Sequence, residues 1–125
     1  MRLHDALDPV RGALVRDARR IVVKLGTNVV LDAGGAPAID RLERLTDSLA
    51  ALRAAGREVL LVTSGAVGLG ATRLGATGGA TRQAHAAVGQ GRLLAFYQQA
   101  FARRGVEIAQ VLLTEHDFRA PPRTR

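Results

Sequence analysis

The 125-residue chain contains no cysteine and no tryptophan, one lysine, one tyrosine, one methionine and three phenylalanines. Without cysteine neither a disulfide framework nor a thiolate metal site can form, and the three scattered histidines make a poor zinc cluster. The shortage of rings leaves little on which nucleobases could stack. No apolar run approaches the roughly 20 residues of a membrane span, and the Asp-containing N-terminus lacks the uninterrupted apolar core of a signal peptide. Together these absences lead us to expect a metal-poor, soluble, cytoplasmic protein. GxGxxG is missing, which argues against a dinucleotide fold, and so is the Walker A pattern. If phosphate is bound, another kind of loop binds it.

The length fits one domain with a core of its own. A formal charge of +7 could point to an acidic partner such as nucleic acid or a phosphorylated ligand. All eighteen basic residues but one are arginines spread along the chain, so composition bias accounts for the charge better than a nucleic-acid surface does. The exception, Lys24, stands inside the apolar run RIVVKLG. A strand-edge lysine snorkelling to solvent is the ordinary account of it; a cation held for an anionic ligand is the other.

The rest of the sequence is arranged around residues 56–70, GREVLLVTSGAVGLG. Val59, Leu60, Leu61 and Val62 form the short, continuous apolar run of a strand covered on both faces in a parallel sheet. Thr63, Ser64 and Gly65 then supply hydroxyls and accessible backbone N–H groups where a strand hands over to a helix, which makes an anion site. An ordinary βα turn with Ser64 as helix N-cap remains the alternative.

Upstream, residues 1–19 read as a short amphipathic helix or a loose leader. Residues 21–25 make a first strand, closed by Gly26, Thr27 and Asn28 in a second strand-to-glycine junction. DAGGAP, residues 32–37, is a turn. From Asp40, the expected N-cap, the spacing Leu42, Leu45, Leu49, Leu52 predicts an amphipathic helix stopped by Gly56. A helix between two strands is a βαβ crossover, so the strands should be parallel and both junctions should open at one carboxyl edge, where α/β sheets bind ligands. After Ser64 the chain can run helically to about Leu74, and residues 75–79 break. A helix over residues 81–104 follows, with Val88, Leu93, Leu94, Tyr97 and Phe101 on its apolar side. Its internal Gly89 and Gly91 each cost about 1 kcal/mol relative to Ala, which implies close packing or a kink. Gly105 ends it, residues 106–114 (VEIAQVLLT) predict a third strand, and the tail after it reads as disordered or cut off.

VVKLGTN at 22–28, VTSGAVGLG at 62–70, RQAHAAVGQGRL at 82–93 and AQVLLTEHDF at 109–118 together resemble, in order and spacing, the N-terminal half of the glutamate 5-kinases of the amino acid kinase family. The resemblance implies a three-layer α/β/α sandwich with a mainly parallel sheet, truncated here. Residues 1–19 would be an N-terminal extension, 20–118 the N-terminal part of the kinase domain and 119–125 a disordered tail. It also implies ATP- and Mg²⁺-dependent phosphorylation of the L-glutamate side-chain carboxylate to glutamyl 5-phosphate, in proline biosynthesis. By the same resemblance Lys24 contacts ATP phosphates and stabilises the transferring group, Gly26 and Thr27 belong to the phosphate loop, and Ser64, Gly65 and Ala66 line the glutamate site. The sequence departs from the pattern at Asn28 and Gly91, where Ser is usual, and at Arg82, where Lys is common. The segments that complete the glutamate site and bind adenine in the family have no counterpart after Phe118. The isolated chain is therefore expected to be inactive unless a complementing C-terminal half completes it, and a homo-oligomer is a further expected partner state. A noncatalytic remnant that binds an anion or a protein partner is the alternative from a different class.

Overall fold

A computed structural model describes residues 9–75, 81–113 and 115–119. What was expected of residues 1–8, of most of the 75–79 break and of the tail beyond Arg119 lies outside them. The elements run α1 (Pro9–Asp17), β1 (Arg20–Leu25), α2 (Thr27–Val30), α3 (Ile39–Ala54), β2 (Glu58–Thr63), α4 (Ala66–Leu74) and α5 (Arg82–Ala102), followed by a single 3-10 turn at Glu115–Phe118.

The two strands pair in parallel, in register from Arg20 opposite Glu58 to Leu25 opposite Thr63. Parallel pairing requires a crossover, and α3 supplies it. The chain enters α3 through the DAGGAP turn, where the Asp32 carboxylate accepts from the N–H groups of Gly34 and Ala36 at 2.9 and 3.0 Å and Leu31 bridges to Pro37. That bridge starts the helix early: Ala38 is the cap residue, and Asp40 lies inside the first turn instead of capping it. There its charge still complements the positive end of the helix. The helix ends as expected. Gly56 takes φ +83°, its N–H reaches the Arg53 carbonyl, and the Arg57 N–H reaches that of Leu52, the paired bonds of a Schellman stop. Arg57 then turns back to donate to the carbonyl ends of α1, at Val15 (3.0 Å), Arg16 and Ala18.

One face of the sheet is buried. Leu25, with Val23, Val59 and Leu61, meets Leu42 and Leu49 of α3 and Leu93, Tyr97 and Phe101 of α5. Thr46 is buried among them and satisfies its hydroxyl by donating to the Glu43 carbonyl at 2.8 Å. The other face is open among the described residues: Val22, Leu60 and Val62 are 63%, 48% and 52% exposed. The expectation that β2 is covered on both faces is therefore not met here, because α3 and α5 pack on the same side.

The predicted third strand is also absent among the described residues. Residues 106–113 carry no strand pairing; Val106 and Ile108 lean on the core, while Val111, Leu112 and Leu113 stand 75%, 73% and 64% exposed. An open groove separates this segment from β2. β propensity needs a ladder partner to become a strand, and the groove keeps the edge of β2 out of reach.

At the far end of the sheet, α5 is tied to α3. Arg104 donates to Asp47 (2.6 Å), to the Glu43 carboxylate (2.7 Å) and to the Ala100 carbonyl (2.6 Å), and Arg103 also pairs with Glu43. The hydrogen bond from Arg104, chiefly, holds the Glu43 carboxyl below its ordinary pKa, against the opposing effect of desolvation. A carboxyl whose pKa is lowered by folding stabilises the fold above its unfolded pKa and loses that contribution as the pH falls through the folded value. Glu43→Gln should therefore lower the thermal midpoint at neutral pH, and the gap to the parent should close as the pH falls through and below the ordinary carboxylate range. A gap that is constant with pH would place the effect elsewhere. The glycines of α5 give a second test. A Cβ at Gly91 meets nothing within 4 Å, so Gly91→Ala should gain about 0.5–1 kcal/mol in urea unfolding, the intrinsic helix preference of Ala.

Candidate functional site

Because β1 and β2 are parallel, both strand-to-glycine junctions lie at one edge of the sheet, and they touch. The Ser64 N–H extends the ladder to the Leu25 carbonyl at 3.1 Å. Its hydroxyl donates to the same carbonyl at 3.2 Å and lies 3.2 Å from the Thr27 hydroxyl. The two loops read separately in the sequence thus form one continuous surface.

On the first junction, Lys24 is exposed and shares the open face with Val22, opposite Val62 in the register. A Cβ built on Gly26 would lie 4.0 Å from Lys24 Nζ, so the ammonium sits over the backbone of the turn. The N–H groups of Val29 and Val30 bond to the Gly26 carbonyl. Those of Thr27 and Asn28 open the helix and have no acceptor within it, as at any helix start. Arg41 closes the other end of this one-turn helix, donating to the carbonyls of Asn28 (2.8 Å) and Val29 (3.1 Å).

On the second junction, Gly65 is the cap residue of α4, at φ +103°. Ser64 does not cap that helix; its side chain faces β1 and Thr27, which removes the simple N-cap reading. A Cβ on Gly65 would stand 3.1 Å from Val30 Cγ1, so glycine is needed both for the left-handed backbone and for the approach of α2. Ala66 then begins α4, with its first N–H groups at the same edge as Lys24.

Helix α5 braces this junction, which the sequence did not reveal. The Tyr97 hydroxyl, on a side chain 5% exposed, lies 3.1 Å from Thr63 Oγ1, and Thr63 also donates to the Ser64 carbonyl at 3.3 Å. Burial pushes the Tyr97 phenol up, with the Thr63 hydrogen bond opposing. Farther along, α4 and α5 cross backbone on backbone: a Cβ on Gly89 would fall 1.6 Å from the Ala66 carbonyl oxygen, and one on Gly70 would fall 1.7 Å from that of His85. The costly glycine in mid-helix was the visible signal for this crossing; Gly70, inside the expected helix after Ser64, and Tyr97, on the apolar side of the next, gave none of their own.

Chemically, the edge offers one ammonium, two hydroxyls in contact and two helix starts. It can receive anionic groups at two adjacent stations, one under Lys24 and one at Ser64, Gly65 and Ala66. No three His, Asp or Glu side chains converge on a metal position among the described residues, and no described helix is long and apolar enough to cross a membrane.

The sequence compares closely with known proteins. It is 48% identical over 108 residues to the glutamate 5-kinase of Streptomyces coelicolor, an alignment covering 83% of this chain and 29% of that protein. Against the glutamate 5-kinase of Symbiobacterium thermophilum it is 42% identical over 113 residues, 87% of this chain and 43% of that protein. Against that of Ralstonia nicotianae it is 48% identical over 110 residues, 85% and 29% of the two chains. The alignments thus span between 29% and 43% of the length of these relatives. The profile of the amino acid kinase family matches residues 19–125, and the chain belongs to that family.

Proposed function

We propose that this chain carries the N-terminal part of a glutamate 5-kinase: an ATP-dependent transferase that phosphorylates the side-chain carboxylate of L-glutamate to glutamyl 5-phosphate in cytoplasmic proline biosynthesis. The observation that carries the reading is the contact between Thr27 and Ser64, which puts a lysine-bearing turn and an N–H-rich turn side by side. Phosphoryl transfer brings two anions together and depends mainly on positioning and charge neutralisation. A carboxylate oxygen forms a bond to the terminal phosphorus as the bond to the ADP oxygen breaks, and ADP leaves with that electron pair. In this assignment Lys24, Gly26 and Thr27 hold the phosphates, and Ser64, Gly65 and Ala66 hold glutamate. Mg²⁺ commonly binds through substrate phosphates and one or two carboxylates rather than an all-protein cage, so the nucleotide's own phosphates would provide most of its ligands here. The ion would supply charge neutralisation between the phosphates. The names of the relatives support the reaction class.

Two measurements test the reading. By calorimetry on the chain itself, Lys24→Met should weaken tripolyphosphate binding about tenfold or more, the scale of a lost charge-assisted contact, and leave L-glutamate nearly unaffected. Ser64→Ala should do the reverse. Loss of thermal stability without either selectivity would return Lys24 to a snorkelling side chain.

The second measurement is turnover. Residues 1–125 alone should release no ADP with ATP, Mg²⁺ and L-glutamate. Fused to the remaining part of the Streptomyces coelicolor relative they should turn over, and Lys24→Met in the fusion should slow the reaction by about a hundredfold or more. A well-folded fusion that binds tripolyphosphate yet transfers nothing would favour the anion-binding remnant; glutamate-dependent turnover by residues 1–125 alone would mean that they contain the whole site.

A further inference from the structure

We infer that α5 sets the position of the Ser64–Ala66 turn, and that Tyr97 and Gly89, both outside the binding edge, are positioning residues for the amino acid substrate. The inference rests on the assignment of that turn to L-glutamate. Two independent contacts from one rigid element bracket the turn. On its N-terminal side the Tyr97 hydroxyl holds Thr63 Oγ1 at 3.1 Å, and Thr63 in turn reaches the Ser64 carbonyl at 3.3 Å. On its C-terminal side the backbone of Gly89 lies so close to Ala66 that a Cβ would fall 1.6 Å from the Ala66 carbonyl oxygen and 2.8 Å from the Gly70 nitrogen. A clash with backbone atoms cannot be relieved by a side-chain rotation, so α4 must move as a body. Between the two contacts lie Ser64 and Gly65, and Gly65 is held from the opposite side by Val30 Cγ1, 3.1 Å from where its Cβ would be.

The phosphate station is not braced this way. Lys24 projects from the open face of β1, and α2 is fixed by Arg41 and by the loop to α3. Changes in α5 should therefore separate the two stations, displacing the glutamate turn directly and reaching the phosphate turn only through the Thr27–Ser64 contact. A generally structural role would weaken both together.

The experiment uses the full chain, labelled with nitrogen-15, with Tyr97→Phe, Gly89→Ala and the control Gly91→Ala, whose Cβ meets nothing within 4 Å. Tyr97→Phe keeps the ring and removes only the hydroxyl. It should shift the amide signals of Ser64, Gly65 and Ala66, leave those of Leu42 and Leu49 in place, and raise the glutamate dissociation constant about threefold to tenfold, the scale of one lost hydrogen bond. Tripolyphosphate should change clearly less than glutamate, because the phosphate turn feels α5 only indirectly, through the Thr27–Ser64 contact. Gly89→Ala should move the same three amides farther, and Gly91→Ala should move none of them. Unchanged amides at 64–66 in Tyr97→Phe would overturn the inference, as would equal weakening of both ligands. If Gly89→Ala fails to fold, Tyr97→Phe decides alone. Where glutamate binds only the fusion to the remaining part of the Streptomyces coelicolor relative, its dissociation constants are read in the fusion; if the fusion binds tripolyphosphate but no glutamate, the substrate assignment of the turn fails and the inference about the substrate fails with it, whereas shifted amides would still locate the brace.

Discussion

The parallel pairing of β1 with β2 is the constraint on which the rest of the structure depends. Strands that run the same way end at the same edge, so the glycine turns that follow them meet. The first strand pair, Arg20 with Glu58, joins residues 38 positions apart, and the whole intervening length is needed to bring the chain back for a second parallel pass. The Ser64 N–H continues the ladder past the last strand residue. The site is thus an extension of the sheet's own hydrogen bonding and inherits its rigidity. An antiparallel arrangement of the same strands would have put Lys24 and Ser64 at opposite ends.

The sheet treats its two sides differently. Leu25, Val59 and Leu61 face helices, and burial of such side chains provides most of the favourable energy of folding. Val22, Lys24, Leu60 and Val62 face outward. Lys24 is thereby kept out of the low-dielectric core, where an unpaired charge is costly to bury. The α5 residues that hold the neighbouring turn sit on the buried side. One edge is therefore served from both sides of the sheet.

Much of this was legible because it is local. The Leu42, Leu45, Leu49, Leu52 spacing fixes α3, Gly56 marks its end through the conformation only glycine takes cheaply, and the crossover makes the strands parallel. Asp40 was misplaced by two residues because the chain enters α3 from the Leu31–Pro37 bridge, with Ala38 and not the best capping side chain at the cap. Ser64 could not be resolved from its neighbours: its partners, Leu25 and Thr27, lie 39 and 37 residues away. The cost of Gly89 in a helix was visible, but its cause lies in α4. The run VEIAQVLLT carries strand propensity that the described structure does not use, since propensity supplies no partner for its N–H and C=O groups.

The contacts of Arg57 with the end of α1 bear on the charge of the whole molecule. Arg41 makes the same kind of contact at the end of α2, and Arg104 at Ala100 near the end of α5. Helix carboxyl ends carry a partial negative charge, so each guanidinium serves as a covalently attached counter-ion for the backbone. A guanidinium suits the task because its planar fork reaches two or three carbonyls at once, where an ammonium presents a point. The net charge of +7 is unchanged by these contacts, but the potential close to the three guanidinium groups is locally lowered by the helix ends they cover.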